Sequence, residues 1–136
     1  MAVHHFSNAT DRDSITDRVL DLAITGEAAL LFREKADPAT RGELTYRLAL
    51  HAAVLAEGSN RSEVFRKVLK FYGRRGAIVH GGDIGSPLKD EALLRWFREL
   101  LRGILKRLLA IAARDGRAPE WEALLLREHA PDATGK

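Results

Sequence analysis

The sequence predicts an all-α fold of about five helices with no sheet. Apolar residues recur at steps of three and four between only four prolines, which is the period of amphipathic helices. No stretch alternates apolar and polar residues as a half-buried strand would. The length of 136 residues fits one domain, and 46% apolar with 30% charged residues is typical of a globular chain.

The expected organisation is a flexible N-terminal leader at 1–13, a single helical domain at 14–130 and a disordered tail at 131–136. The leader lacks the apolar core of a secretion signal, and no uncharged run approaches the ~20 residues that span a bilayer. We therefore expect a cytoplasmic protein with no membrane association. The absence of cysteine excludes disulfides, thiolate zinc sites and a cysteine nucleophile.

The first two predicted helices cover residues 14–34 and 41–56. Because glycine in a helix interior costs about 1 kcal/mol, Gly26 on the apolar stripe of the first helix predicts the close approach of another helix. The apolar stripe of the second helix is broad enough to be buried on more than one side. Gly58 is a suitable C-terminal stop for it.

The third predicted helix begins at Asn60 or Ser62, either of which can cap it. It runs into a segment, residues 72–82, that contains four glycines in eleven residues. Helix propensity alone would not hold such a segment, so another interaction must do so.

The fourth predicted helix begins at Ser86, followed by a proline at the first helical position, and continues to Arg114. At 1.5 Å per residue it is about 42 Å long, which makes it the expected spine of the bundle. A short fifth helix is predicted at 119–129.

Net charge and motifs exclude several classes of function. A formal charge of +3 is too small to indicate nucleic-acid binding. The sixteen arginines against six lysines suit phosphate recognition, although a composition bias explains that excess more simply. The chain has no strand-borne phosphate loop, no helical HExxH and no EF-hand loop. We therefore predict no cofactor and no metal site.

The remaining candidate for chemistry is Arg75 with His80, an arginine and a histidine separated by four residues. Histidine can serve as base or acid near neutrality, and arginine stays charged and can bind two phosphate oxygens. In a regular helix the two side chains would point about 140° apart. The two side chains can therefore line one cleft only if the helical turn is distorted or if they come from two different protomers. Arg74 either extends the phosphate-binding surface or is simply solvated.

The bare spacing arises by chance in a chain with this many arginines, so its surroundings decide its meaning. The segment 72–82 resembles the signature of the Apea-like HEPN domains: a tyrosine, an arginine, then an apolar pair before His-Gly. Residues 43–53 resemble the second helix of that family, and residues 21–30 are similar to its first helix. The order and spacing of the three blocks match as well, and together they cover about residues 15–82.

The resemblance implies a HEPN-like helical bundle that dimerises across its signature helices. It implies a metal-independent endoribonuclease with Arg75 and His80 as catalytic residues, RNA as substrate and a toxin–antitoxin or anti-phage context. An antitoxin or regulatory protein is a possible partner. Two alternatives stay open: a non-catalytic HEPN module that binds RNA or a protein, and a helical oligomerisation domain from a larger defence protein.

Three further features receive structural interpretations. His51 lies among apolar residues and is expected in the core or an interface. Trp96 and Phe97 are expected to serve core or dimer packing rather than base stacking. A pair between Arg47 and Glu27 across helices, as a buried polar support for the cleft, is an alternative that the sequence leaves open.

Overall fold

A computed structural model describes residues 2–4, 6, 15–31, 41–56, 58, 60–79 and 87–127 of the chain. Within these ranges the chain is helical with no strand, so the all-α prediction is confirmed. The five main helices, in chain order, are α1 (Ile15–Leu30), α2 (Arg41–Leu55), α3 (Arg61–Val79), α4 (Pro87–Asp115) and α5 (Trp121–Arg127). The predicted end of the first helix at residue 34 and the tail at 131–136 lie outside the described residues.

The helix ends show how local sequence sets the boundaries. Asn60 caps α3, since its side-chain oxygen accepts a hydrogen bond from the Glu63 amide at 3.2 Å. Gly58 and Gly116 follow α2 and α4 with φ of 67° and 68°, a conformation that favours glycine. The fifth helix begins later than predicted, at Trp121, because its first backbone hydrogen bond is accepted by the carbonyl of Glu120.

Helices α2 and α3 form an antiparallel pair, and α1 and α4 pack beside it. The α1 and α4 helices run in the same direction. Arg18 of α1 pairs with Glu91 near the start of α4, and further along Gly26 faces Phe97 and Leu101. The short helix α5 packs against α2.

An apolar cluster of described residues joins these helices. Phe71 of α3 and Phe97 of α4 are fully buried and stack with ring centroids 3.8 Å apart. Burial of large aromatic rings in such a cluster is a main source of folding free energy. The largest fully buried aliphatic side chains are Leu22, Leu30, Leu48, Leu55, Leu101 and Ile104.

Four residues of the predicted N-terminal leader, 2–4 and 6, lie in the part of the chain that the structure describes. Residues 2–4 and 6 are helical. Phe6 packs against the core, and the Thr25 hydroxyl donates to the Ala2 carbonyl at 3.4 Å. These two contacts attach the described part of the leader to the bundle.

Among the described helices, none combines the length and the apolar character needed to cross a membrane.

Candidate active site at the end of α3

The glycine-containing end of α3 is held by two buried aromatic rings on its inner side. The helix continues without a break through Gly73 and Gly76 to Val79. Phe71 and Tyr72, which precede these glycines, are 1% and 8% exposed. Burial of the two rings against α1 and α4 therefore offsets the low helix propensity of the glycines.

Tyr72 is fixed by a hydrogen bond to α1 as well as by packing. Its hydroxyl donates to the backbone carbonyl of Ala23 at 2.9 Å. Its ring meets that of Phe97 edge to face, with centroids 6.0 Å apart. The hydroxyl also lies beside Gly26, where an added Cβ would be only 2.7 Å away. The predicted close approach of another helix at Gly26 is thereby confirmed.

Arg75 lies one turn after Tyr72 on α3 and reaches across to α1. Its Nη2 atom is 3.6 Å from Oε1 of Glu27, and the two side chains are 37% and 40% exposed. This separation makes an ion pair without a good hydrogen bond. Ion pairs at such partly solvated positions contribute about 0–1 kcal/mol to stability, so Glu27 holds Arg75 loosely.

The guanidinium of Arg75 keeps donor capacity at this position. Among the residues that the structure describes, its Nε atom is buried and has no hydrogen-bond partner. A guanidinium carries five N–H donors in a planar fork that matches the oxygens of a phosphate. The exposed part of the side chain can therefore bind an anion without first breaking a strong internal contact.

The pKa of Tyr72 is shifted by burial and by the charges of Glu27 and Arg75. Burial raises the pKa of its hydroxyl well above the ordinary value, the negative charge of Glu27 raises it further, and Arg75 lowers it. The tyrosine is therefore a neutral hydrogen-bond donor at physiological pH. It positions helices and is not a general base.

The other half of the predicted catalytic pair, His80, lies outside the described residues. The distance between Arg75 and His80 is therefore not part of the geometry above. Arg74, predicted as an RNA-binding residue, is half-buried on α3 beside Arg75. Consecutive helix residues point about 100° apart, so Arg74 and Arg75 face different sides of α3.

The predicted pairing of Glu27 with Arg47 is corrected by the structure. Glu27 pairs with Arg75, whereas the guanidinium of Arg47 lies 2.5 Å from the carboxylate of Glu43. Glu43 and Arg47 are four residues apart on α2, a spacing that brings side chains together without any help from tertiary packing.

His51 is a packed core residue, as predicted. It is 4% exposed, and its Nδ1 atom is 2.8 Å from the Leu30 carbonyl, which makes Nδ1 the protonated, donating nitrogen. The imidazole stacks on the Trp121 ring with centroids 4.0 Å apart and planes at 4°. His51 therefore joins α1, α2 and α5.

Phe97 has the predicted packing role, since it is fully buried. Trp96 is half-buried at the edge of the same cluster, with the Lys67 ammonium 5.1 Å from its ring centre. The Phe97 ring therefore offers no platform for a base.

Sequence reasoning missed that Glu27 pairs with Arg75. A signal was present: Glu27 directly follows Gly26 on α1, and Arg75 follows Tyr72 by three residues on α3. Once Gly26 is matched with Tyr72, Glu27 comes within reach of Arg75, which lies one turn further along α3. Within the described residues, no cluster of three or more His, Asp and Glu side chains is placed to hold a metal ion.

No protein-family model, no curated protein and no solved structure matches this chain.

Proposed function

We propose that the chain is a HEPN-type, metal-independent endoribonuclease that works as a homodimer. The proposal rests on the position and contacts of Arg75 on α3. Its side chain is partly exposed and is held by one loose ion pair with Glu27. Its Nε atom is buried and lacks a hydrogen-bond partner among the described residues. The resemblance of the surrounding segments to the Apea-like HEPN domains adds its support.

The chemistry follows from what each side chain can do. Arg75 binds the scissile phosphate and stabilises the charge of the phosphorane. One His80 takes the 2′-hydroxyl proton, and the attacking oxygen then displaces the 5′-oxygen. The His80 of the second protomer gives a proton to that leaving oxygen. The products are a 2′,3′-cyclic phosphate and a 5′-hydroxyl.

A two-fold dimer supplies the second histidine. One protomer carries one Arg75 and one His80, whereas base, acid and phosphate clamp together need more than one imidazole. An isologous interface across α3 would place both pairs in one cleft. A dimer also removes the need for Arg75 and His80 of one chain to share a helix face.

The test is cleavage of a panel of RNAs by the purified protein in the presence of a chelator. Arg75→Ala and His80→Ala should each lower cleavage by about 10²–10⁴-fold. Arg66→Ala, an exposed arginine elsewhere on α3, is the matched control and should cleave like the wild type. Circular dichroism and size-exclusion chromatography check that each variant keeps its fold and its dimer.

Two results would refute the proposal. One is a wild-type protein that leaves every RNA intact. The other is an Arg75→Ala variant that cleaves as fast as the Arg66→Ala control. End-group analysis adds a third check, because products other than a cyclic phosphate and a 5′-hydroxyl would exclude the 2′-hydroxyl mechanism.

A non-catalytic HEPN module that binds RNA or a partner protein is the second candidate. The pairing of Glu27 with Arg75 favours the protein-binding form of this candidate, since the carboxylate competes with a phosphate for the same guanidinium. RNA retardation in a native gel without any product would select this candidate. In either case we propose a toxin–antitoxin or anti-phage context, in which an antitoxin or regulatory protein controls access to Arg75.

A further inference from the structure

A row of basic side chains follows the outer face of α4. Its members occur at steps of three, four and four residues, so they lie on one side of the helix. Three of them directly follow the buried residues Leu94, Phe97 and Leu101, so they lie about 100° around the helix from the buried face. We call this row the α4 stripe; it consists of Arg95, Arg98, Arg102 and Lys106.

The α4 stripe is open to solvent. Arg95, Arg102 and Lys106 are exposed, and the Arg98 side chain is 40% exposed. Among the described residues Arg98 has an ion pair, with Glu99 at 3.7 Å, and the other three members have none. From first to last member the stripe is about 16 Å long at 1.5 Å per residue.

The charge of the stripe is not balanced within α4. Glu99 is the only acidic residue in the sequence between 92 and 114, against six basic residues. Like charges four residues apart, as in Arg98 with Arg102 and Arg102 with Lys106, destabilise a helix by about 0.2–0.5 kcal/mol per pair. An anion that bridges neighbouring members would relieve this repulsion.

Arg107, on the same helix, differs from the stripe members because it contacts another helix of the bundle. Its guanidinium donates to the backbone carbonyl of Leu55 at 3.2 Å and so completes the end of α2. It belongs to the internal structure of the bundle. The members of the α4 stripe point away from that interior.

The spacing of the stripe fits a linear polyanion. Its members repeat every ~4.5–6 Å along the helix axis, a distance that successive phosphates of a flexible strand can match. The stripe contains no aromatic residue, and both neighbouring rings are used in packing. Contacts of this kind bind a backbone without base stacking, so they confer affinity without sequence preference.

Along the axis of α4, the stripe lies beside the part of α1 that contributes Glu27 to the candidate active site. Phe97 and Leu101, which alternate with its members, are the α4 residues that face Gly26. Glu27, the partner of Arg75, is the next residue of α1. We propose that the α4 stripe binds the phosphate backbone of a single-stranded RNA, and that this RNA is the substrate; the identity of the polymer rests on the proposed function.

The test separates binding from cleavage. The probe is a fluorescent 2′-O-methyl RNA of about 16 nucleotides, which lacks the attacking hydroxyl and so stays intact. Its affinity is measured by fluorescence anisotropy at several salt concentrations for the wild type and two triple variants. The stripe variant is Arg95→Gln, Arg102→Gln and Lys106→Gln. The matched control is Arg61→Gln, Arg66→Gln and Lys70→Gln, three exposed residues of α3 with the same change in charge and composition.

We expect the stripe variant to lose three phosphate contacts. Each contact to a single strand contributes about 0.7 to the slope of log affinity against log salt, so the slope should fall by about 2. At 0.1 M salt, relative to 1 M, this corresponds to roughly a 100-fold loss of affinity. The control should stay within about threefold of the wild type.

Equal losses in the two variants, or an unchanged affinity of the stripe variant, would overturn the proposal. So would stripe-dependent binding to phosphatidylserine vesicles without binding to RNA. Cleavage of unmodified RNA is scored separately. If the protein binds the probe through the α4 stripe but cleaves no RNA, the proposed ribonuclease activity is refuted and RNA binding by the stripe is supported. If the protein cleaves RNA but its affinity does not depend on the stripe, the ribonuclease activity is supported and RNA binding by the stripe is refuted.

Discussion

Replacing Gly26 by alanine tests the packing between α1 and α3. The added Cβ would lie 2.7 Å from the Tyr72 hydroxyl oxygen and 3.4 Å from Cζ of Phe97. Ordinary contact begins at 3.4 Å, so the hydroxyl would have to move by about 0.7 Å. The tyrosine has little freedom to do so, because its ring is buried against Phe97 and its hydroxyl bonds to the Ala23 carbonyl.

Two opposing effects set the magnitude. Alanine is better than glycine in a helix interior by about 1 kcal/mol, which favours the variant. Against this, overpacking a core costs about 1–3 kcal/mol, and a buried hydrogen bond that loses its geometry costs about as much again. We expect Gly26→Ala to lower the free energy of unfolding by about 2 kcal/mol, with a fall in Tm of about 8 °C.

The control is Gly73→Ala, at a position on α3 where an added Cβ meets nothing within 4 Å. This variant should gain about 0.5–1 kcal/mol from helix propensity alone. Urea unfolding followed by far-UV circular dichroism measures both changes. Gly26→Ala combined with Tyr72→Phe completes a double-mutant cycle, because removal of the hydroxyl removes the clash. Equal stabilisation by the two alanines, or additivity in the cycle, would refute the packing described here.

Three other outcomes concern single polar groups of the bundle. Because the pKa of Tyr72 is raised in the folded protein, the unfolded chain loses this proton at lower pH than the folded chain does. The contribution of Tyr72 to the free energy of unfolding is therefore complete below pH ~10 and falls above it by up to about 1.4 kcal/mol per pH unit. Tyr72→Phe should remove that part of the pH dependence, as measured by urea unfolding at alkaline pH. Glu27→Gln should change stability by less than about 1 kcal/mol and should tighten binding of 2′-O-methyl RNA, since Arg75 loses its competitor; a weaker complex would contradict this. His51→Phe keeps an aromatic ring in the core but leaves the Leu30 carbonyl without its donor, so thermal unfolding should show a loss of about 1–3 kcal/mol, and an unchanged Tm would show that the hydrogen bond does not matter.

The positions of the helices were predictable because each one carries its own signal. The spacing of apolar residues marks the buried face of a helix, and helix-terminating residues such as Gly58 mark its ends. The sequence left Asn60 and Ser62 as equal candidates for the cap of α3. The structure selects Asn60 through its bond to the Glu63 amide, a choice that depends on backbone angles rather than residue type.

The pairing of charges between helices was not predictable in the same way. Which acid meets which base depends on the rotation of each helix about its axis, and packing of the whole core sets that rotation. The sequence offered Arg47 for Glu27, whereas Arg75 lies beside it in the structure. The packing of Phe6 was missed for a related reason, since a short leader has no periodicity from which its burial can be inferred.

Packing and the candidate site are linked by the register of α1 against α3. Gly26 and Glu27 are neighbours on one helix, and Tyr72 and Arg75 lie one turn apart on the other. Because Gly26 lacks a side chain, Tyr72 can approach α1 closely enough to bond to its backbone. The same approach brings Glu27 within reach of Arg75. A larger residue at 26 would therefore separate the helices and withdraw the carboxylate from the guanidinium. Gly26→Ala should consequently alter the phosphate affinity of Arg75 as well as stability, even though the substituted residue touches no ligand.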